Sequence, residues 1–180
     1  GSCSSFRVAI VHDYLTQRGG AERVVRAMLQ AFPDARLITS VYNGETTFPE
    51  FRERVIETSS LQRLAAFRRD PRWALPLLAP TFTRTTVRDV DLVLCSSSGW
   101  AHGVTTSAPK LVYCYNPPRW VYQHSDYVAT QSGPVRAAFK LLRPALRRWD
   151  KRAARTADRY LTTSTVLQER IQRFYGINAK

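Results

Sequence analysis

In the stretch VHDYLTQRGGAERVV (11–25), an apolar run ends in His12 and Asp13, and Gly19 and Gly20 then open a regular amphipathic segment led by Glu22. Glycines at a helix start let backbone N–H groups approach a ligand with no side chain in the way. The positive end of the helix dipole favours an anion there. The pair therefore reads either as a phosphate-approach turn or as a tight strand-to-helix connection, and the residues alone divide evenly between the two. His12 could contact an acceptor or a phosphate. Asp13 could accept a hydrogen bond from a substrate hydroxyl or hold the turn backbone. Glu22 is a carboxylate suited to the first turn of a helix or to the site itself. Two more polar stretches carry candidates. SSSGWAHG (96–103) contains His102, which contacts a substrate or serves the core, and YCYNPPRW (113–120) contains Arg119, which binds an anion or packs on Trp120. G-x-G-x-x-G and G-x-x-x-x-G-K-[ST] are both absent, which argues against a dinucleotide fold and a P-loop NTPase.

These residues need elements to position them. FRVAIVHDY (6–14) has the length and β-branching of a buried strand. After it, Ala21, Val24, Val25, Met28, Leu29 and Phe32 mark one face of a helix stopped by Pro33. ARLITSVY, VDLVLCSSS, KLVYCYN and DRYLTTS read as further strands. A helix is expected from about 135 to 157 on the stripe Val135, Phe139, Leu142, Leu146, Trp149 and Ala153, kinked or divided by Pro144. A last helix ends at Gly176 as its C-cap, and because another strand would normally follow, the chain reads as cut there. Nearly continuous apolar strands alternating with helices predict an α/β, Rossmann-like parallel sheet with helices on both faces.

The chain has 180 residues, enough for one domain, and the leading Gly1-Ser2 reads as a cloning scar. Its 27 Lys and Arg against 14 Asp and Glu give a net charge of +13, a surplus that favours anionic partners. Cys3, Cys95 and Cys114 show no CxxC spacing and fit buried, reduced thiols, and His12, His102 and His124 are not spaced with them as zinc ligands. No apolar run is long enough to cross a bilayer and no signal-peptide core is present. The charge gathers in two stretches. Arg63, Arg68, Arg69, Arg72, Arg84 and Arg88 face only Asp70. Arg136, Lys140, Arg143, Arg147, Arg148, Lys151, Arg152, Arg155 and Arg159 face only Asp150 and Asp158. Arginines beside Trp73 and several leucines suit an anionic interface, with Arg63, Arg68, Arg69, Arg72 and Trp73 as the membrane-facing candidates. A solvated face is the other reading.

Four segments in order carry a resemblance: VHDYLTQRGGAERVV, DLVLCSSSGWAHGV, LVYCYNPPRWVYQ and RWDKRAARTADRYLTTSTVLQERIQRFYG. Together they resemble the N-terminal domain of family-four glycosyltransferases of the GT-B type, bacterial mannosyltransferases in particular, over nearly the whole chain. The resemblance implies that residues 3–180 are the acceptor-side half of a two-domain enzyme whose C-terminal, donor-binding domain is absent, so the isolated domain would have little activity. It implies a retaining transfer without metal or other cofactor, from a nucleotide diphosphate sugar (GDP-mannose is the expected donor) to a hydroxyl of an acceptor glycan or lipid-linked sugar. It also implies that the Gly19–Gly20 loop and Glu22 face the donor diphosphate. Asp13, His102 and Tyr115 become catalytic candidates. Related enzymes carry a donor-touching histidine where this chain has Tyr115, which can donate a hydrogen bond but cannot be a cation near neutral pH. The implied location is cytoplasmic, peripheral on the inner face of the plasma membrane. A basic nucleic-acid-binding module and a non-catalytic membrane adaptor are the alternatives. The first lacks an RNP motif, a KH loop and a helix-turn-helix signature, so no nucleic-acid partner is expected.

Overall fold

A computed structural model describes residues 5–118 and 133–180. The chain folds as β1 (Val8–His12), α1 (Gly20–Ala31), β2 (Arg36–Thr39), β3 (Ile56–Thr58), α2 (Ala65–Arg69), α3 (Leu75–Arg84), β4 (Thr86–Val87), β5 (Leu92–Ser97), β6 (Thr105–Thr106), β7 (Lys110–Cys114), α4 (Gly133–Arg155), β8 (Arg159–Leu161) and α5 (Thr165–Tyr175). Six strands form one parallel sheet in the order β3-β2-β1-β5-β7-β8, and β4 and β6 make a small parallel pair beside it. The chain works outward from β1 to β3, returns to β5 and works outward the other way. Right-handed crossovers then require helices on opposite faces for the two halves. The order reverses between β1 and β5, the place where open α/β sheets bind ligands.

Strand alternation divides the core in two. Val8 and Ile10 of β1 pack with Val25 and Leu29 of α1 and with Phe51, in a cluster that includes Leu92 and Leu94 of β5. Ala9 and Val11 face the other way with Val93, Cys95 and Val112, against Leu75, Leu78 and Phe82 of α3, Phe139 and Ala154 of α4 and Ile171 of α5. This is the α/β sandwich expected of near-continuous apolar strands. Cys95 and Cys114 are free and buried; burial pushes the Cys95 thiol up to about 12 and raises that of Cys114 as well.

The helix ends follow their sequence signals. α1 closes at Phe32, whose N–H donates to the Met28 carbonyl at 2.9 Å, one residue before Pro33. The Ser164 hydroxyl caps α5 by accepting from the Leu167 amide at 3.3 Å. Gly176 ends it with φ of 70°, a left-handed conformation that glycine adopts without strain. Beyond it, the Lys180 main chain lies along β8, donating to the Tyr160 carbonyl and accepting from the Thr162 amide.

Three features differ from the sequence reading. Pro144 does not divide α4, which is continuous from Gly133 to Arg155. It lies on an exposed side, so the Lys140 carbonyl that loses its donor faces water. β3 was missed because three mostly exposed residues at a sheet edge give no apolar run. The two-residue strands β4 and β6 are too short for any periodicity. On the α4 stripe, Phe139, Leu146 and Ala153 are buried as expected, whereas Leu142 is 38% exposed. The Val135 side chain lies outside the described residues.

Candidate functional site

The alternation that divides the core also sorts the polar residues at the carboxyl ends of β1, β5 and β7. His12, Ser96 and Tyr115 keep the parity of the α1 side. Asp13, Ser97 and the loop carrying His102 fall to the other side. Each set forms its own hydrogen-bond network.

On the α1 side, His12 is 2% exposed, with Nδ1 2.8 Å from Ser96 Oγ and 3.2 Å from the Ser96 carbonyl, and Nε2 3.2 Å from Glu22 Oε1. The second Glu22 oxygen accepts from the Gly19 amide at 2.9 Å. This is half of a capping box, since a glycine N-cap has no side chain to return the bond. Burial pushes the Glu22 carboxyl up. The hydrogen bond and charge of His12, with the Gly19 amide, outweigh that and hold it below the ordinary carboxylate range. The Tyr115 hydroxyl lies 2.8 Å from Ser96 Oγ and 3.3 Å from the Ala21 carbonyl, and burial raises its phenol.

The two glycines differ in kind. A Cβ on Gly19 would come within 2.7 Å of Glu22 Oε2, so this position must stay bare for Glu22 to reach the Gly19 amide. A Cβ on Gly20 would meet nothing within 4 Å, so its lack of a side chain leaves open space at the first residue of α1. The amides of Gly20 and Ala21 have no intrahelical acceptor there, whereas that of Glu22 turns to its own carboxylate. The loop before them is pinned: Leu15 N–H donates to Val41 O and Asn43 N–H to Leu15 O, both at 2.9 Å.

On the opposite side, Asp13 is 2% exposed and both carboxylate oxygens are engaged. The Ser98 amide donates to one and the Ala101 amide to the other, each at 2.7 Å, and the Ser40 hydroxyl donates to the Asp13 carbonyl. Burial pushes its carboxyl above the usual value against the pull of His12 and the two amides. Asp13 thus holds the loop after β5, which is the backbone role among its two sequence readings. Gly99 in that loop has φ of 122°, and a Cβ there would come within 2.6 Å of Pro118. His102 is 2% exposed, with Nδ1 3.2 Å from Ser97 Oγ and Nε2 2.9 Å from Asp150 Oδ1, off a good hydrogen-bond direction. It packs edge-on against Trp149, in the core between the β5 loop and α4.

Two residues of these networks had not been singled out. Ser96 joins the networks of β1 and β7, and its parity with His12 across the β1–β5 pairing was its only signal. Lys110 is buried and donates to the His102 and Val104 carbonyls and Thr156 Oγ1 at 2.8, 2.9 and 2.6 Å, tying the β5 loop to the end of α4; burial lowers its pKa. A lysine at the head of an apolar run gave no sequence cue to that. Arg119 lies outside the described residues. Among the membrane-facing candidates, Arg63 and Arg69 are exposed, Arg68 donates to the Gln62 carbonyl, Arg72 is paired with Asp70 at 2.7 Å, and Trp73 is 47% exposed. A cavity of about 640 Å³ lined by Asp34, Arg36, Glu53 and Glu57 sits where β2 and β3 begin, at the opposite edge of the sheet.

Residues 18–180 match the family model described as Glycosyltransferase Family 4. The chain belongs to that family. No curated protein matches it. The match takes in Gly19, Gly20, Glu22, both polar loops and the long α4, and family membership indicates glycosyl transfer in general. In chemical terms, the start of α1 offers the Gly20 and Ala21 amides, with no acceptor among the described residues, and a positive dipole end over open space at the switch point, an arrangement suited to an anion. Among the described residues, no helix is long and apolar enough to cross a membrane.

Proposed function

We propose that this domain forms the acceptor-side wall of a cleft in which a sugar passes from a nucleoside diphosphate to an acceptor hydroxyl, with a second domain supplying most of the donor site. The observation that carries the reading is the open, glycine-lined start of α1 at the β1–β5 switch point. The diphosphate would lie against the amides of the first turn, which stabilise the charge that develops as it leaves. Arg119 would add a planar cation. Transfer proceeds with retention and needs no metal, and GDP-mannose is the first donor to test. The full-length enzyme, offered GDP-mannose and UDP-sugars separately with lipid-linked and soluble glycan acceptors, should release nucleoside diphosphate with one donor in an acceptor-dependent way. Release with none of them would overturn the reading.

The acceptor is carried on a lipid, and the enzyme docks on the anionic inner face of the plasma membrane. A shallow groove of about 430 Å³ between α3 and α4, lined by Pro76, Ala79, Pro80, Leu142, Leu146 and Trp149, supports this. Leu141 (81% exposed) and Leu77 (44%) stand near it, and α3 and the exposed side of α4 carry basic residues with no exposed acid. Cations near such a surface contribute about 1 kcal/mol each. The protein should sediment with anionic but not neutral vesicles, lose binding at high salt, and bind less well as Leu141→Glu. Salt-insensitive binding, or none, would make this a solvated face.

A further inference from the structure

The hydrogen bonds beside the Gly19–Gly20 turn have a direction that can be worked out atom by atom. The Tyr115 hydroxyl lies 3.3 Å from the Ala21 carbonyl, which can only accept, so the phenol proton points there. The phenol oxygen then accepts from Ser96 Oγ at 2.8 Å. Having given its one proton, Ser96 accepts from His12 Nδ1, also at 2.8 Å. That nitrogen is 3.2 Å from the Ser96 carbonyl as well, which again requires a proton on Nδ1. A further proton lies between His12 Nε2 and Glu22 Oε1, and the second oxygen of Glu22 takes the Gly19 amide. Both ends of this chain grip the first turn of α1, one through the Glu22 side chain and the other through the Ala21 carbonyl.

We propose that Tyr115 and Ser96 are positioning residues for the anion site at the start of α1: they lock its first turn to β5 and β7, so that the amides of Gly20 and Ala21 hold a fixed direction before a nucleoside diphosphate arrives. The role differs from a donor-sugar contact at position 115. The Tyr115 hydroxyl serves the backbone of the turn, and the β1, β5 and β7 ends become one rigid frame behind it. The inference rests on the proposed reading of this turn as the diphosphate site. A site held in place in advance binds its ligand without the cost of ordering the turn.

The test uses Tyr115→Phe, Ser96→Ala and the double variant in the full-length protein, with three readouts. Amide exchange across residues 19–25 should be about tenfold faster in Tyr115→Phe, with the rest of the domain unchanged. Calorimetric affinity for whichever of GDP and UDP the wild type binds should fall about tenfold. Donor KM should rise in parallel, and kcat/KM should fall at least as far as the affinity, because the same amides meet the charge that develops on the leaving diphosphate. General loss of folded protein would lower kcat and leave KM unchanged. The double variant should be no more than about twofold worse than Tyr115→Phe, because both substitutions cut one chain. Unchanged exchange in residues 19–25 would overturn the lock. Faster exchange with unchanged diphosphate affinity and KM would overturn its role in positioning. A wild type that binds neither GDP nor UDP would overturn the diphosphate reading itself, and the proposal with it, even where the exchange data reveal the lock.

Discussion

Asp13→Ala is expected to destabilise the domain by about 3 kcal/mol, because it strands the Ser98 and Ala101 amides without an acceptor in a buried site. For a chain of this length that corresponds to a melting temperature lowered by roughly 10 °C. Asp13→Asn tests the cause. It keeps the size and shape of the side chain, but its NH2 would face one of the two amide donors, so it should recover no more than about half of the loss. Thermal unfolding of the three proteins side by side decides the matter. If Asp13→Ala melts within about 2 °C of the wild type, the carboxylate does not hold the β5 loop. A transfer defect in a variant that keeps its full stability would return Asp13 to the reacting atoms.

Asp13 also illustrates how much of this site was legible in the sequence. The apolar runs located β1, β2, β5, β7 and β8, and the i, i+3, i+4 spacing located α1, because each buries a face that must recur with the period of its element. The same runs placed His12, Asp13, Ser96 and Tyr115 at strand ends. What they could not supply was the partner. His12 and Asp13 are adjacent, yet alternation sends one to Glu22 under α1 and the other to the amides of the β5 loop, 85 and 88 residues away in sequence. Which buried carboxylate meets a histidine and which meets the backbone of a loop depends on those distant amides, which carry no side-chain signature. His102 was ambiguous for the same reason: its neighbours Asp150 and Trp149 arrive from α4, nearly 50 residues later. Tyr115 was read from the resemblance as a substituted donor contact. The carbonyl it meets, Ala21, is a main-chain group that no residue pattern could have marked. β3 stayed hidden because an edge strand of three residues, buried on neither side, is specified by pairing with β2 and not by its own composition.

The glycine pair supplies the second large effect, and here adjacent substitutions should separate binding from folding. Gly20→Val places a branched side chain in space that is empty, at an exposed first helical position, so the fold should tolerate it within about 1 kcal/mol. If a diphosphate lies against the first turn, the valine occupies the approach that the glycine leaves open. The donor kcat/KM of the full-length enzyme should then fall about 100-fold, the scale on which a displacement of one ångström at a reacting centre is felt. Gly19→Val acts by another route. Its Cβ meets Glu22 Oε2 at 2.7 Å, so Glu22 must release the Gly19 amide and disturb its bond to His12. That variant should lose stability as well as donor use. The informative pattern is therefore a stable, donor-impaired Gly20→Val beside a destabilised Gly19→Val. Intact folding and unchanged donor kinetics in Gly20→Val would reduce the glycine pair to a tight connection between β1 and α1, and the anion would have to be sought at the loops after β5 and β7.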